Sequence, residues 1–204
     1  MKAIVVKKRN KKPDLLWEEV ADIQCGPEEV LVDVFATAVN RADLLQALGF
    51  YPPPPGESKI LGLEMAGTIA AIGDAVQGRQ IGERVLALLS GGGYAQQAAV
   101  NHQMLIKLPA GWSFAEGAAI PEVWLTAFVN LFIEGALKSG ETVLIHAGGS
   151  GVGTAGIQMA REAGARVYIT AGAEAKLDKC RGLGASLAVN YKEQDFFEEV
   201  MTAT

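Results

Sequence analysis

The chain has 204 residues, half of them hydrophobic and 20% charged, with 24 glycines and a net charge of −5. That length holds one large domain, or one domain and part of another, and the balance is that of a globular α/β protein. The acidic excess argues against nucleic acid or an anionic membrane surface as the main partner.

No stretch approaches a membrane span, and no apolar run follows a basic start in signal-peptide order. The two cysteines, Cys25 and Cys180, lie far apart and lack metal-ligand spacing, so they read as free thiols of a reducing compartment. The expectation is a soluble, cytoplasmic protein. The basic run Lys7-Lys8-Arg9-Asn10-Lys11-Lys12 is short and reads as a solvated hairpin turn rather than a polyanion site.

Taken in chain order, segments 2–7, 15–20 and 29–38 carry alternating or β-branched apolar residues and predict strands. Residues 41–48 predict a short helix with Asn40 as its N-cap. The run Tyr51-Pro52-Pro53-Pro54-Pro55-Gly56 excludes helix and central strand and is a loop. Strands resume at 65–72, 84–88 and 94–100. From Ser113 the character changes, with helices over 114–120 and 122–134 and Pro121 at a helix start. Strict alternation follows: strand 142–145, helix 152–163, strand 166–170, helix 173–181, strand 187–189, and a helix from 194. The fold class is therefore α/β, with a β-rich domain at 1–120 and a dinucleotide-binding domain at 121–204.

The most informative segment is 144–156, where an apolar strand runs into His146-Ala147-Gly148-Gly149-Ser150-Gly151-Val152-Gly153 and then a helix. Glycines there let backbone approach a pyrophosphate, and the helix N-terminus offers free N–H groups and the positive end of its dipole. A full Rossmann sheet has two mononucleotide-binding halves. This chain supplies three strands, so an incomplete Rossmann domain with an unpaired sheet edge and an under-covered apolar face is expected.

Several blocks together resemble the zinc-independent quinone oxidoreductases of the medium-chain dehydrogenases/reductases. They are Asn40-Arg41-Ala42-Asp43, Tyr51-Pro52-Pro53-Pro54, Leu61-Gly62-Leu63-Glu64, Gly82-Glu83-Arg84-Val85, the run from Ala119 to Phe128, the glycine segment and Asn190-Tyr191-Lys192. The resemblance covers the whole chain and implies a GroES-like fold for the N-terminal domain. It also implies a C-terminally truncated form, because family members are longer. Zinc enzymes of this superfamily use a Cys and a His where this chain has Asn40-Arg41-Ala42-Asp43 and Gly62-Leu63-Glu64, so no metal is expected. His102 and His146 read as hydrogen-bonded structural residues.

The resemblance implies NADPH as cofactor, with Lys176 and Tyr191 at the 2′-phosphate and Ala173 where the family often has Ser. An NAD site would want an acid at the end of the second strand, which instead ends in Ala171-Gly172-Ala173. Glu174 comes after the turn and reads as first-turn helix charge. Cofactor contacts are expected at Thr126, Gly148, Gly149, Ser150, Gly151, Val152, Gly153, Gly172, Lys176 and Tyr191. For Lys176 a plain exposed helix lysine, for Tyr191 a half-buried aromatic and for Ser150 plain helix capping stay open as alternatives.

On the same likeness, Tyr51, Asn40 and Asp43 are the catalytic candidates. Tyr51 can stack on or hydrogen-bond a carbonyl acceptor, or simply anchor the proline loop; Asn40 can be only a helix cap. The implied reaction is hydride transfer to a quinone or related conjugated carbonyl. Reduction of an enone or enoyl thioester is one alternative, and a catalytically inactive truncated form that binds NADPH weakly or not at all is another. Full-length relatives are usually homodimers, and their dimer surface lies largely in the missing part, so the resemblance argues against a dimer here.

Overall fold

A computed structural model describes residues 1–9 and 12–204. The turn expected in the basic run includes Asn10 and Lys11, which lie outside the described residues. The chain separates into two compact units, Met1–Glu122 and Val123–Thr204. The division falls inside the helix that opens at Pro121.

In the first unit, β1 (Lys2–Arg9) and β2 (Lys12–Glu19) form an antiparallel pair. The chain continues through β3 (Glu29–Ala36), α1 (Arg41–Leu48), β4 (Glu64–Ile72), β5 (Arg84–Leu88), β6 (Gln97–Asn101), β7 (Ile106–Lys107) and α2 (Phe114–Ala118). β3 to β7 make one antiparallel sheet in the order β6-β3-β4-β5-β7. Because side chains alternate along a strand, the sheet has two apolar faces. Val30, Val32, Met65, Ile69, Val85, Ala87, Ala98 and Val100 fill one core. Ala66 and Leu86 face the other way and pack with Leu108 and Ala118 of α2. β4, the central strand, is thus covered on both faces at its start, from Glu64 to Gly67.

β6 starts three residues later than its apolar pattern predicts. Tyr94 is already committed: its carbonyl accepts the Ile4 N–H at 2.8 Å and its own N–H reaches the Leu61 carbonyl at 2.8 Å. β7 has only two residues, too few to show a period.

The second unit alternates as expected: β8 (Thr142–Ile145), α4 (Gly151–Glu162), β9 (Arg166–Ala171), α5 (Glu174–Leu183), β10 (Leu187–Asn190) and α6 (Phe196–Ala203). The three strands are parallel in the order β10-β9-β8. Ile157, Ala160, Val167, Ile169, Leu177 and Cys180 make its core. Among the described residues β8 has a strand neighbour on one side only, and Ile133 beyond α3 (Pro121–Phe128) is 62% exposed. The helix expected over 122–134 does not run through. After Phe128 the chain widens into a π-helical turn, Val129–Glu134, where the Gly135 N–H bonds the Asn130 carbonyl at 2.9 Å. The Asn130 side chain meanwhile donates to the Thr126 carbonyl at 2.8 Å, competing with the backbone ladder. No helix among the described residues is long and apolar enough to cross a membrane.

The first unit is clamped by Arg79. Its guanidinium donates to the carbonyls of His102 (3.1 Å) and Leu105 (2.7 Å) and pairs with Glu83 at 3.2 Å, with its side chain only 19% exposed. This holds Leu105 in the core. Arg79→Ala is expected to destabilise the chain by about 2–3 kcal/mol, since charged hydrogen bonds to half-buried carbonyls are lost together. A urea midpoint read by circular dichroism measures it, and Arg79→Lys should recover only part because a lysine lacks the planar fork.

Candidate functional site

The turn from β8 to α4 is set by close backbone approach. A β-carbon on Gly153 would lie 2.5 Å from the Ala147 carbonyl oxygen, and one on Gly148 would lie 2.7 Å from Cβ of Ile169. Both positions are therefore confined to glycine. Ala147 itself holds a left-handed φ of 54°, a conformation of the kind that costs about 1–2 kcal/mol for a residue with a β-carbon. Ser150 caps α4, its hydroxyl accepting the Gly153 N–H at 3.0 Å. The amides of Gly151 and Val152, in the first turn, have no intrahelical acceptor. Both residues are exposed, as is Ser150. An anion has access to this exposed helix N-terminus, where the glycines leave the backbone open to approach.

The residues expected at the 2′-phosphate lie against glycines of the same unit. A β-carbon on Gly149 would lie 3.0 Å from Cβ and Cδ of Lys176, so the lysine stem crosses the glycine turn. One on Gly172 would lie 2.7 Å from the Tyr191 hydroxyl and 3.0 Å from Cε of Lys192. Tyr191 is exposed rather than half-buried in a core. Glu174 is turned away into a pair with Arg181 at 2.7 Å, so the one nearby acid is already partnered. These residues fit a phosphorylated dinucleotide: a glycine-rich turn at 148–153 that lets backbone approach a phosphate, and two lysines and a phenol beside its glycines and Gly172. Thr126 lies on α3, half-buried, with its carbonyl taken by Asn130. Val123 of the same helix lies against Gly151, with Cγ1 2.9 Å from where a β-carbon would sit.

In the first unit the structure joins Asn40 and Asp43 and adds Glu64 and Tyr94, which the sequence did not single out. The Asn40 amide donates from Nδ2 to Glu64 Oε1 at 2.7 Å, and the other oxygen of Glu64 accepts the Glu122 N–H at 2.9 Å. Asp43 Oδ2 accepts both the Asn40 N–H and the Tyr94 hydroxyl, each at 2.7 Å. Asp43, expected beside an acceptor, is 2% exposed, with Oδ2 turned to Asn40 and Tyr94 rather than to an open surface. Tyr51 stands apart from this network, half exposed on the loop after α1. His146 is hydrogen-bonded, with Nδ1 3.0 Å from Thr170 Oγ1.

The carboxylates do not make a metal centre. Among the described residues no three His, Cys, Asp or Glu side chains converge as a ligand set, and Glu64 and Asp43 direct oxygens to donors of the chain. A zinc ion does not fit here.

Burial pushes the Glu64 carboxyl above its ordinary value of 4.5, against the opposing hydrogen bonds from Glu122 and Asn40; Asp43 adds to the rise. Glu122 is raised from the same value by burial and by Glu64 and Asp43. Burial and the Asp43 bond also raise the Tyr94 phenol. A carboxyl with a raised folded pKa binds its proton more tightly folded than unfolded, so its share of stability is present at low pH and lost as pH climbs. The Tm should therefore contain a component that falls from about pH 4.5 upward through the raised folded values, and Glu64→Gln should flatten it. Calorimetry across that range measures the slope; an unchanged slope in the variant would contradict the assignment.

Comparison with known proteins agrees with this geometry. Residues 26–110 match the family model of the alcohol dehydrogenase GroES-like domain, and residues 151–204 match that of the zinc-binding dehydrogenase. The chain is 40% identical over 173 residues to the phenolphthiocerol synthesis polyketide synthase type I Pks15/1 of Mycobacterium marinum, covering 84% of this chain and 8% of that protein. The structure of Escherichia coli quinone oxidoreductase complexed with NADPH superposes with a TM-score of 0.89 at 28% identity, over 99% of this chain and 62% of that one. The CurK enoyl reductase superposes with a TM-score of 0.85 at 33% identity, over 93% and 59%. The chain thus spans less than two thirds of the length of each of these relatives. With a GroES-like segment followed by a parallel β-α-β-α-β unit, the chain belongs to the medium-chain dehydrogenase/reductase superfamily.

Proposed function

We propose that the chain is the cofactor-binding and acceptor-binding part of an NADPH-dependent reductase of conjugated carbonyl compounds. The observation that carries this reading is the glycine turn at 148–153 with Lys176 against Gly149, together with Tyr191 and Lys192 against Gly172 and Glu174 engaged by Arg181. Gly148, Gly149, Gly151 and Gly153 would admit the pyrophosphate to the backbone, with Ser150 and Val152 at the start of α4. Lys176, Tyr191 and Lys192 would meet the 2′-phosphate by charge and hydrogen bonding across Gly172. Thr126 on α3 would border the cofactor. The likeness to a quinone oxidoreductase solved with NADPH supports the choice of cofactor.

When bound, the nicotinamide supplies a hydride, and the acceptor takes up one proton in addition. A quinone collects that proton readily on its reduced oxygen, so the chain needs to position the acceptor and keep water out more than to supply a strong acid. Tyr51 would stack on or hydrogen-bond the acceptor. Asn40 would offer an amide donor, while Asp43 stays behind it as a positioning residue.

Within this class the sequence resemblance leads to a quinone. A second reading, an α,β-unsaturated thioester, is favoured by two identities: 40% with a polyketide synthase and 33% with the CurK enoyl reductase, against 28% with the quinone oxidoreductase. Steady-state rates with NADPH on ortho-quinones and on a crotonyl thioester separate the two. Turnover of either acceptor is expected, the better one by about tenfold or more in kcat/KM. NADPH binding without turnover of either would instead mean a cofactor-binding chain without activity.

Removing the 2′-phosphate contacts should alter coenzyme choice. Lys176→Gln combined with Tyr191→Phe is expected to weaken NADPH binding by about tenfold or more and to leave NADH binding within about twofold, as loss of charge-assisted bonds predicts. Fluorescence titration measures both, and an equal loss for the two coenzymes would contradict the assignment.

A further inference from the structure

Glu64 is an almost fully buried acid, 1% exposed, that opens the central strand of the first unit. Nothing in the cofactor or acceptor roles above uses it. Its two oxygens serve two different donors, the Asn40 amide and the backbone N–H of Glu122. Only a carboxylate does this, because a glutamine has one accepting end and one donating end. An acceptor-only partner also decides which end of the Asn40 amide turns inward, namely the nitrogen.

We propose that Glu64 is the positioning residue for Asn40, holding its amide by one Nδ2 hydrogen and leaving the other as a preset donor to the carbonyl oxygen of the acceptor. The second hydrogen has no partner among the described residues. Asp43 fixes the same residue from the other side, accepting the Asn40 backbone N–H while anchored by Tyr94. Asn40 is therefore held at main chain and side chain alike. A conjugated carbonyl that gains a hydride builds negative charge on its oxygen, and a donor already in place stabilises that charge without reorganising. The role of the donor rests on the reductase reading; the contact that sets it does not.

The test uses Glu64→Gln and the pair Asn40→Asp/Glu64→Gln. With Glu64→Gln alone, the introduced amide can accept from Glu122 or from Asn40 but not from both. In the double variant, the oxygen of that amide keeps the Glu122 N–H, and its nitrogen donates to the carboxylate introduced at position 40. The internal bonds return while the outward donor is gone. Glu64→Gln should lower kcat by about tenfold or more, with KM and the NADPH Kd within about threefold. The double variant should regain the wild-type Tm but not its kcat. In nitrogen-15 spectra the wild-type Asn40 side-chain pair should show one slowly exchanging hydrogen, lost in Glu64→Gln.

Recovery of kcat in the double variant would reduce Glu64 to a structural role and overturn the proposal. So would wild-type kcat in Glu64→Gln, or an Asn40 pair with no protected hydrogen in the wild type. Should Glu64→Gln alone fail to fold, the double variant decides. If the wild type turns over neither acceptor class, the reductase reading fails, and the exchange measurement still decides whether Glu64 sets the amide.

Discussion

Between β8 and α4 the backbone folds back so tightly that a β-carbon at Gly153 would intrude on the Ala147 carbonyl at 2.5 Å. That steric limit governs the second unit. It forces glycine at the inner positions and draws Ala147 into a left-handed conformation. It leaves Ser150 as the single capping hydroxyl at the mouth of the helix. The cost in backbone strain and chain entropy is offset by the apolar packing of Ile157, Val167, Ile169 and Leu177 beneath it. A turn this constrained presents helix-end amides to whatever lies outside it, and a phosphate is the group that such amides suit.

The first unit solves a different problem. Its sheet is apolar on both faces at the start of β4, yet a glutamate stands there. Burial of such a group is tolerated only when its oxygens are matched by donors. Asn40 and the Glu122 amide provide them. One step away Asp43 is matched at one oxygen only: its Oδ2 accepts the Asn40 N–H and the Tyr94 hydroxyl, each at 2.7 Å, while the buried Oδ1 has no partner among the described residues. The result is a polar network of fixed orientation at the entry to α1.

Much of this was legible in the sequence where the signal is local. α1 begins and ends at the predicted residues, because Asn40 starts it and Gly49, at φ 87°, stops it. The glycine turn, the strand before it and the helix after it are equally visible, since each has its own period or its own forbidden β-carbon. Glu64 was not. Its partners are 24 and 58 residues away, and a lone acid at the head of an apolar strand looks like a strand boundary. Asp43 was read for chemistry but not for burial, which depends on Tyr94, 51 residues further on. The π-turn was hidden because Val129, Leu131, Phe132 and Ile133 continue an apolar helical pattern that the Asn130 side chain interrupts only in three dimensions. Lys192 stood in a recognised block, and only the fold put it over Gly172.

Binding of a 2′-phosphorylated dinucleotide at the glycine turn, as proposed above, has one direct test. Calorimetric titration of the wild-type chain with ADP-ribose and with its 2′-phosphate tests it most directly, since these ligands carry the pyrophosphate without the nicotinamide. Both should bind in competition with NADPH, the 2′-phosphate about tenfold or more tightly, the increment of one charge-assisted contact. Failure of both to bind, or equal affinity for the two, would contradict it.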